Sequence, residues 1–303
     1  MDTLSERLDN HLIDLCWSMW TELGVAGVKR RHQDCLIALE ELILLTAVLA
    51  EVDPRLRDEA LDWCSRYHDF ISISRLKALA RSFGAVVTEP LSRFSAALNA
   101  ASRAHWPQFI QVPACRFVPS GKSQLSPLER PSLLYLRLRK LFGIGARADV
   151  IAFFLEQQNI DFAAADVVEI GYSKRNIVDV LDGFVEAGIF EVSKVRNQQR
   201  YFFIKRAETL KLLGRLPKFL PAWRHVFHVL LLARACIQRT KKKSESTKVI
   251  EMQKTLSQLG DALKKLHLSP PIMQTDFQAY WRTFGEWILS MTISNFYDNT
   301  SNR

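Results

Sequence analysis

Most of the chain shows the apolar spacing of α-helices. In residues 4–98, apolar side chains recur three and four positions apart, as in the set Leu12, Leu15, Cys16 and Met19. The spacing returns in residues 36–44, and Asp53-Pro54 marks a break before a new helix, because proline fits the first helical turn and disfavours helix in the preceding residue. The pattern predicts an all-helical domain over residues 1–105.

Prolines divide the rest of the chain. Those in residues 106–131 forbid a continuous helix and predict a partly extended linker. Helical spacing resumes at 133–142 and 146–157, and later at 209–216, 221–238, 248–266 and 275–294. We therefore expect a central domain over residues 132–206 and a C-terminal helical region over 207–303 that serves packing or dimerisation.

Residues 173–187 carry the most specific pattern. Ser173 is a suitable N-cap, because its hydroxyl can accept from a free backbone N–H of the first helical turn. One apolar stripe follows, made of Ile177, Val180, Leu181, Phe184 and Val185. The polar side chains therefore point away from the core, and these are Lys174, Arg175, Asn176, Asp179 and Asp182.

A tight turn and a hairpin flank this helix. Gly171 and Tyr172 form the turn that joins it to a preceding helix, predicted at residues 162–170. Gly188 ends it, and two runs rich in β-branched and aromatic residues follow, separated by the polar residues 196–199. These runs predict a β-hairpin from which Lys194, Arg196 and Arg200 can reach phosphates.

Three helices followed by a hairpin resemble the winged helix-turn-helix superfamily of prokaryotic transcription regulators, over the stretch ADVVEIGYSKRNIVDVLDGFVEAGIFEVSKVRNQQRYFFI. The resemblance covers about a fifth of the chain and indicates no subfamily. It implies a recognition helix at residues 173–187 in the major groove and a wing at 189–204 on the backbone or minor groove. The expected fold is mainly α: a helical N-terminal domain, a central winged helix-turn-helix with one β-hairpin, and C-terminal helices.

The predicted DNA contacts come mainly from basic, amide and carboxylate side chains. In the first turn of the helix, Lys and Arg suit guanine or phosphate and Asn suits adenine. Asp179 and Asp182 depart from a strongly basic surface, because carboxylates there would repel phosphates unless Asp179 accepts from a cytosine amine or pairs with Arg175. The predicted set, which includes a phosphate contact from the tyrosine, is Tyr172, Ser173, Lys174, Arg175, Asn176, Asp179, Lys194, Arg196, Asn197, Gln198 and Arg200.

Charge and cysteine content indicate the cellular compartment in which we expect the protein. The formal net charge is +9, and in residues 207–303 Lys and Arg outnumber Asp and Glu by 15 to 7. The five cysteines are scattered, which favours reduced thiols over disulfides. The acidic start of the chain does not resemble a secretory signal, and Glu40 and Glu41 interrupt the most apolar stretch. We expect a cytoplasmic protein without a membrane span.

The sequence favours sequence-specific binding of double-stranded DNA by a homodimeric transcriptional regulator, with a small molecule or a protein as effector. The alternative is a protein-interaction adaptor or antitoxin-like partner in which the winged domain is structural. An enzyme ranks third, because no catalytic motif occurs. A zinc site in which His32 and Cys35 meet Cys64 and His68 is less favoured than buried thiols and ordinary helix histidines. We therefore expect no enzymatic activity, no metal and no cofactor.

Overall fold

The computed structural model describes residues 3–27, 32–157 and 161–292. The fold is mainly helical, with 63% helix and 5% strand, as the apolar spacing predicted. The ends of the predicted first and last domains, residues 1–2 and 293–303, lie outside the described residues.

The N-terminal part is a bundle of helices around one almost wholly buried helix. Its helices are α1 (Leu4–Leu23), α2 (Leu39–Leu49), α3 (Pro54–Tyr67), α4 (Ile73–Phe83) and α5 (Ala85–Ala101). In α2 every residue except Val48 is buried, including Glu40 and Glu41. The two carboxylates that interrupt the apolar stretch therefore lie inside the protein and require partners there.

Residues 103–130 contain neither helix nor strand, which agrees with an extended proline-rich segment. This segment is attached to the N-terminal helices by hydrogen bonds. Asp62 of α3 accepts from the backbone N–H groups of Gly121 and Ser123, at 2.7 and 3.0 Å. The N–H of Gln124 donates to the carbonyl of Gly24 at 3.1 Å. The segment lies against the helical bundle along this stretch.

The central part begins with α6 (Leu134–Phe142) and α7 (Ala146–Glu156). We call residues 146–202 the helix–hairpin unit; after α7 it comprises β1 (Asp161–Ala163), α8 (Ala164–Val167), a turn of 3₁₀ helix (Val168–Ile170), α9 (Lys174–Glu186), β2 (Glu191–Val195) and β3 (Gln198–Phe202). The predicted helix over 162–170 is therefore wrong at its start. Residues 161–163 instead pair with β3, which places the ring of Phe162 against Phe153 and Phe154.

The three strands form one antiparallel sheet in the order β1-β3-β2. Phe162 and Val192 both lie opposite Tyr201, so the central strand β3 fixes the register of the other two. The hairpin turn consists of Arg196 and Asn197, with a φ of 57° at Arg196. It is shorter than the four-residue tip expected from the sequence, because Gln198 and Gln199 already pair with β2.

The C-terminal part is helical. Its helices are α10 (Arg206–Leu213), α11 (Trp223–Thr240), α12 (Glu245–Gln258), α13 (Gly260–Lys265) and α14 (Phe277–Ser290). The helix predicted over 248–266 is divided at Gly260 into α12 and α13. Buried apolar side chains of all three parts belong to one continuous core. No helix in the described parts of the chain has the length and apolar character that crossing a membrane requires.

Candidate nucleic-acid interface

The first turn of α9 is presented to solvent by a firmly packed helix. Ser173 caps the helix and accepts from the N–H of Asn176 at 3.2 Å, as predicted. Ile177 and Leu181 are fully buried and hold one face of the helix on the core. Lys174 and Arg175 are exposed in the same turn. The apolar stripe thus fixes the orientation of the helix and leaves its basic first turn available.

The charges of this turn are not neutralised by neighbours. Lys174 and Arg175 have no carboxylate within 4.0 Å among the described residues. Asp179 is exposed and forms no ion pair with Arg175 in the described structure, so of the two roles expected for Asp179 this one is not seen. Asp182 accepts a hydrogen bond from the Tyr201 hydroxyl at 2.8 Å, which ties α9 to the sheet. The partial positive charge of the helix N-terminus adds to the two cations.

The hairpin presents a second set of exposed polar groups. Arg200, which was also predicted as a DNA contact, does not belong to this exposed set. Lys194, Arg196, Asn197 and Gln198 are all exposed around the turn. Arg200 is half-buried, and its guanidinium forms an ion pair with the carboxylate of Asp161 and donates to the Asp161 carbonyl at 3.1 Å. Because this pair joins β3 to β1, Arg200 is occupied in holding the sheet and is not displayed like Arg196.

Tyr172 also departs from the sequence expectation. Its hydroxyl points inward, donates to Oδ2 of Asp149 at 2.8 Å and forms a hydrogen bond with Oγ of Ser72 at 2.9 Å. Burial and the charge of Asp149 raise the pKa of the Tyr172 phenol above its usual range. The hydroxyl therefore donates to a carboxylate inside the protein, and the phosphate contact expected for it is not prepared by this orientation.

Asp149 belongs to a buried ion cluster, which we define as Glu40, Glu41, Arg75, Arg139 and Asp149. All five residues are buried. Arg139 donates to Glu40 at 2.7 Å and to Asp149 at 3.1 Å, while Arg75 donates to Glu40 at 2.7 Å and to Glu41 at 2.5 Å. The cluster thereby joins α2 and α4 of the N-terminal part to α6 and α7.

The electrostatics of the cluster favour its ionised form. Burial alone would raise the pKa of Glu40, but the charges of Arg139 and Arg75 outweigh burial and lower it to about 2. The same pairing raises the pKa of both guanidinium groups, in spite of their burial. Glu40, Arg75 and Arg139 therefore carry charge in the folded protein throughout the physiological pH range, and each depends on its partners.

The cluster reaches the turn that precedes α9. Arg75 donates through Nε to the carbonyl of Ile170 at 3.1 Å, and Tyr172 binds Asp149 as described. From the other side of this turn, Arg224 of α11 donates to the carbonyl of Glu169, and Lys265 of α13 lies 2.9 Å from the Glu169 carboxylate. The N-terminal and C-terminal helices therefore both determine where α9 begins.

A groove of about 800 Å³ runs beside the first turns of α9. It lies between the α6–α7 junction and α9, and its walls include Ser74, Arg147, Ser173, Asn176 and Asp179. Arg147 is exposed and has no carboxylate within 4.0 Å among the described residues, so it adds a cation that the sequence analysis did not single out. The available signal was its place in the first turn of α7, two residues after Gly145.

Comparisons with known protein families, with curated proteins and with solved structures found no match to this chain. The interface must therefore be interpreted from its own geometry. In residues 3–27, 32–157 and 161–292, no group of three or more His, Cys, Asp or Glu side chains is arranged to hold a metal ion. His32 hydrogen-bonds Ser18 at 2.6 Å, and Cys64 is buried with its thiol pKa raised by burial.

We expect Tyr172→Phe to lower the free energy of unfolding by about 1 to 3 kcal/mol, because it removes a donor from the buried carboxylate of Asp149. Tyr201→Phe is the matched control, since it removes the same atom from Asp182, which is exposed and can bind water instead. Urea unfolding of both variants measures the difference. Equal losses would show that the Tyr172 hydroxyl has no special part in the cluster.

Proposed function

We propose that this protein binds double-stranded DNA sequence-specifically as a transcriptional regulator, with α9 in the major groove and the β2–β3 hairpin on the sugar-phosphate backbone or in the minor groove. The helix–hairpin unit supports this, because α7, α8 and α9 followed by a hairpin give the element order of a winged helix-turn-helix. We expect the base contacts to come from Lys174, Arg175 and Asn176.

The observation that carries the proposal is the exposed first turn of α9. Lys174 and Arg175 are solvent-exposed and unpaired among the described residues, and Asn176 lies beside them on the wall of the groove. The helix bearing them is fixed by buried packing, so its side chains need little reorganisation to enter a groove of the duplex. Arg196 at the hairpin turn supplies a further exposed cation that suits phosphate.

The test is selection from a random duplex library at two salt concentrations, followed by binding measurements on the enriched site. Salt is varied because phosphate contacts alone give salt-steep, sequence-blind binding. We expect a defined site to be enriched. Lys174→Ala combined with Arg175→Ala should weaken binding to that site at least tenfold, since each good bidentate base contact contributes about 1 to 3 kcal/mol of discrimination.

The matched control is Lys242→Ala combined with Lys243→Ala, which removes the same charge from an exposed loop after α11. Sixteen residues of α11, or about 24 Å of helix, separate this loop from Arg224, the α11 residue that contacts the turn before α9. Equal weakening by both double variants would refute a specific role for the first turn of α9. Absence of any enriched site with the wild-type protein would refute sequence-specific binding.

Pairing of two copies of the chain is part of the proposal. One helix–hairpin unit reads few base pairs, and a dimer that binds two half-sites multiplies the specificity. A two-fold symmetric enriched site and a dimeric mass in solution are the expected results. An asymmetric site bound by one protein copy would show that the chain acts as a monomer.

Exposed apolar side chains at the α6–α7 junction favour a second candidate, in which the groove docks a protein. Leu141 and Ile144 are 50% and 48% exposed, and Phe142 and Ile144 line the groove. In that case the helix–hairpin unit is a structural part of an adaptor. Ile144→Glu would then abolish partner capture while DNA selection with the wild-type protein yields no site.

A further inference from the structure

An exposed stripe of α4 lies outside the helix–hairpin unit but next to α9. Ser74, Lys77 and Arg81 are all exposed and lie three and seven residues apart, which puts them on one side of the helix. Ser74 lines the groove together with Ser173 and Asn176. The stripe therefore starts beside the N-terminus of α9 and runs away from it for about two helical turns, roughly 10 Å.

The turn before α9 packs against the adjoining side of α4. A Cβ atom placed on Gly171 would lie 3.9 Å from the Cβ of Ala78 and 3.4 Å from Cγ of Arg75. Ala78 follows Lys77 directly and precedes Arg81 by three residues, so the stripe runs along the side of α4 next to the one that this turn contacts. Their position relative to α9 is fixed, because Arg75 of the same helix belongs to the buried ion cluster.

Helix α13 brings further cations to this turn. Lys265 Nζ lies 2.9 Å from the carboxylate of Glu169, two residues before Gly171. Lys264 precedes it and is exposed. Because Lys265 neutralises Glu169, the turn presents no uncompensated acidic side chain between the two sets of cations. We call Lys77, Arg81, Lys264 and Lys265 the flanking ridge.

Most of the ridge lacks acidic partners. Lys77, Arg81 and Lys264 have no carboxylate within 4.0 Å among the described residues. Exposed cations without counter-charges repel one another, and a polyanion that displaces condensed counterions relieves this repulsion. The ridge has no exposed aromatic or amide group among its four members, so its chemistry fits phosphate and not base edges.

We propose that the flanking ridge binds the phosphates of double-stranded DNA beside the major groove that receives α9, so that the N-terminal and C-terminal helices take part directly in DNA binding. The inference rests on the proposed function. A B-DNA major groove is about 12 Å wide, and a helix inside it has a phosphate strand close on either side. The α4 part of the ridge begins beside the turn before α9 and extends roughly 10 Å, which is close to the width of that groove.

The test is the salt dependence of binding to two duplexes, one with the enriched site and one of random sequence. Lys77→Gln combined with Arg81→Gln is expected to weaken binding to both duplexes by the same factor, on the order of tenfold. The slope of log affinity against log salt should become shallower by about 2, and by about 1 for Lys264→Gln. Lys242→Gln combined with Lys243→Gln is the control of equal charge and should leave both slopes unchanged.

Ridge variants that match the wild-type slope, or a control pair that changes it equally, would overturn the proposal. A factor that differs between the two duplexes would also overturn it, because phosphate contacts do not read sequence. Lys77, Arg81 and Lys264 are exposed and make no ion pair with described residues, so thermal unfolding of these variants should match the wild type.

The experiment separates this proposal from the proposed function. If no site is enriched but the random duplex binds with a slope that the ridge variants reduce, sequence-specific regulation fails and the ridge stands as a phosphate-binding surface. If a site is enriched and Lys174 and Arg175 are needed for it while the ridge variants bind normally, the proposed function stands and the ridge proposal fails.

Discussion

Arg139→Met is expected to lower the free energy of unfolding by about 3 to 5 kcal/mol, because it leaves buried carboxylates without their partner. Arg139 is 1% exposed in its side chain and pairs with Glu40 at 2.7 Å and with Asp149 at 3.1 Å. Methionine fills similar space without a charge. Only Arg75 would then remain to compensate three buried carboxylates of the cluster.

The adjacent residue offers a matched control. Lys140→Met removes the same charge from the same helix, but Lys140 is 51% exposed and pairs at 3.0 Å with Asp69, which is 54% exposed. Such surface pairs contribute about 0.2 to 1 kcal/mol. Urea unfolding measures both, and adding Glu40→Gln to Arg139→Met should recover part of the loss. A loss for Arg139→Met as small as that of Lys140→Met would contradict the role assigned to the ion cluster.

Glu156→Gln should stabilise the protein increasingly as the pH rises from 5 to 8. Oε1 of Glu156, the last residue of α7, is buried and has no hydrogen-bond partner among the described residues. Burial raises the pKa of this carboxyl group to about 7; Tyr135 and Arg75 lower it, and Glu41 and Asp149 raise it. Between the unfolded value of 4.5 and this value, the folded chain binds a proton that the unfolded chain releases.

The sign of the effect follows from this difference. Ionisation of the buried Glu156 carboxyl above pH 7 destabilises the folded state. The contribution of Glu156 to the free energy of unfolding is therefore most favourable below pH 4.5 and is lost as the pH rises through 7. The loss is on the order of 3 kcal/mol, at about 1.4 kcal/mol per pKa unit. Part of this loss has occurred by pH 5, so the gain from Glu156→Gln should be about 2.5 kcal/mol larger at pH 8 than at pH 5, as measured by urea unfolding at both values.

Glu186, the last residue of α9, is the natural comparison, because it is exposed at the equivalent position of its own helix. Glu186→Gln should change stability by a small and nearly constant amount, since water solvates this carboxylate in both states. A gain for Glu156→Gln that does not grow with pH would show that Glu156 is already solvated in the folded protein.

Local signals in the sequence predicted α9, its cap and the glycine turn before it. Ser173 and Gly188 bound the predicted helix at 173–187, and the structure has α9 at Lys174–Glu186 with Ser173 as its cap. Gly171 adopts a φ of 103°, which glycine favours. Caps and turns are set by residues within a few positions of each other, and such information is present in any short stretch of chain.

Contacts between residues that are distant in the sequence could not be predicted from such local signals. Strand β1 is three residues long, and its partner β3 begins 35 residues after it ends. Glu40 and Arg139 are 99 positions apart, and nothing in their own neighbourhoods indicates that they pair. Tyr172 and Arg200 were predicted as phosphate contacts because polar side chains in a turn and a hairpin are usually exposed. Their inward partners, Asp149 and Asp161, became visible only with the fold.

The buried ion cluster also limits how this chain can be taken apart. A cut at residue 131 would keep Arg139 and Asp149 with the helix–hairpin unit but discard Glu40, Glu41 and Arg75. The excised piece would contain Arg139 and Asp149 without their partners from α2 and α4, so it cannot be expected to fold as an independent domain. A chimera that transplants the helix–hairpin unit onto another protein would have to bring α2 and α4 along, because they carry the partners of Arg139 and Asp149.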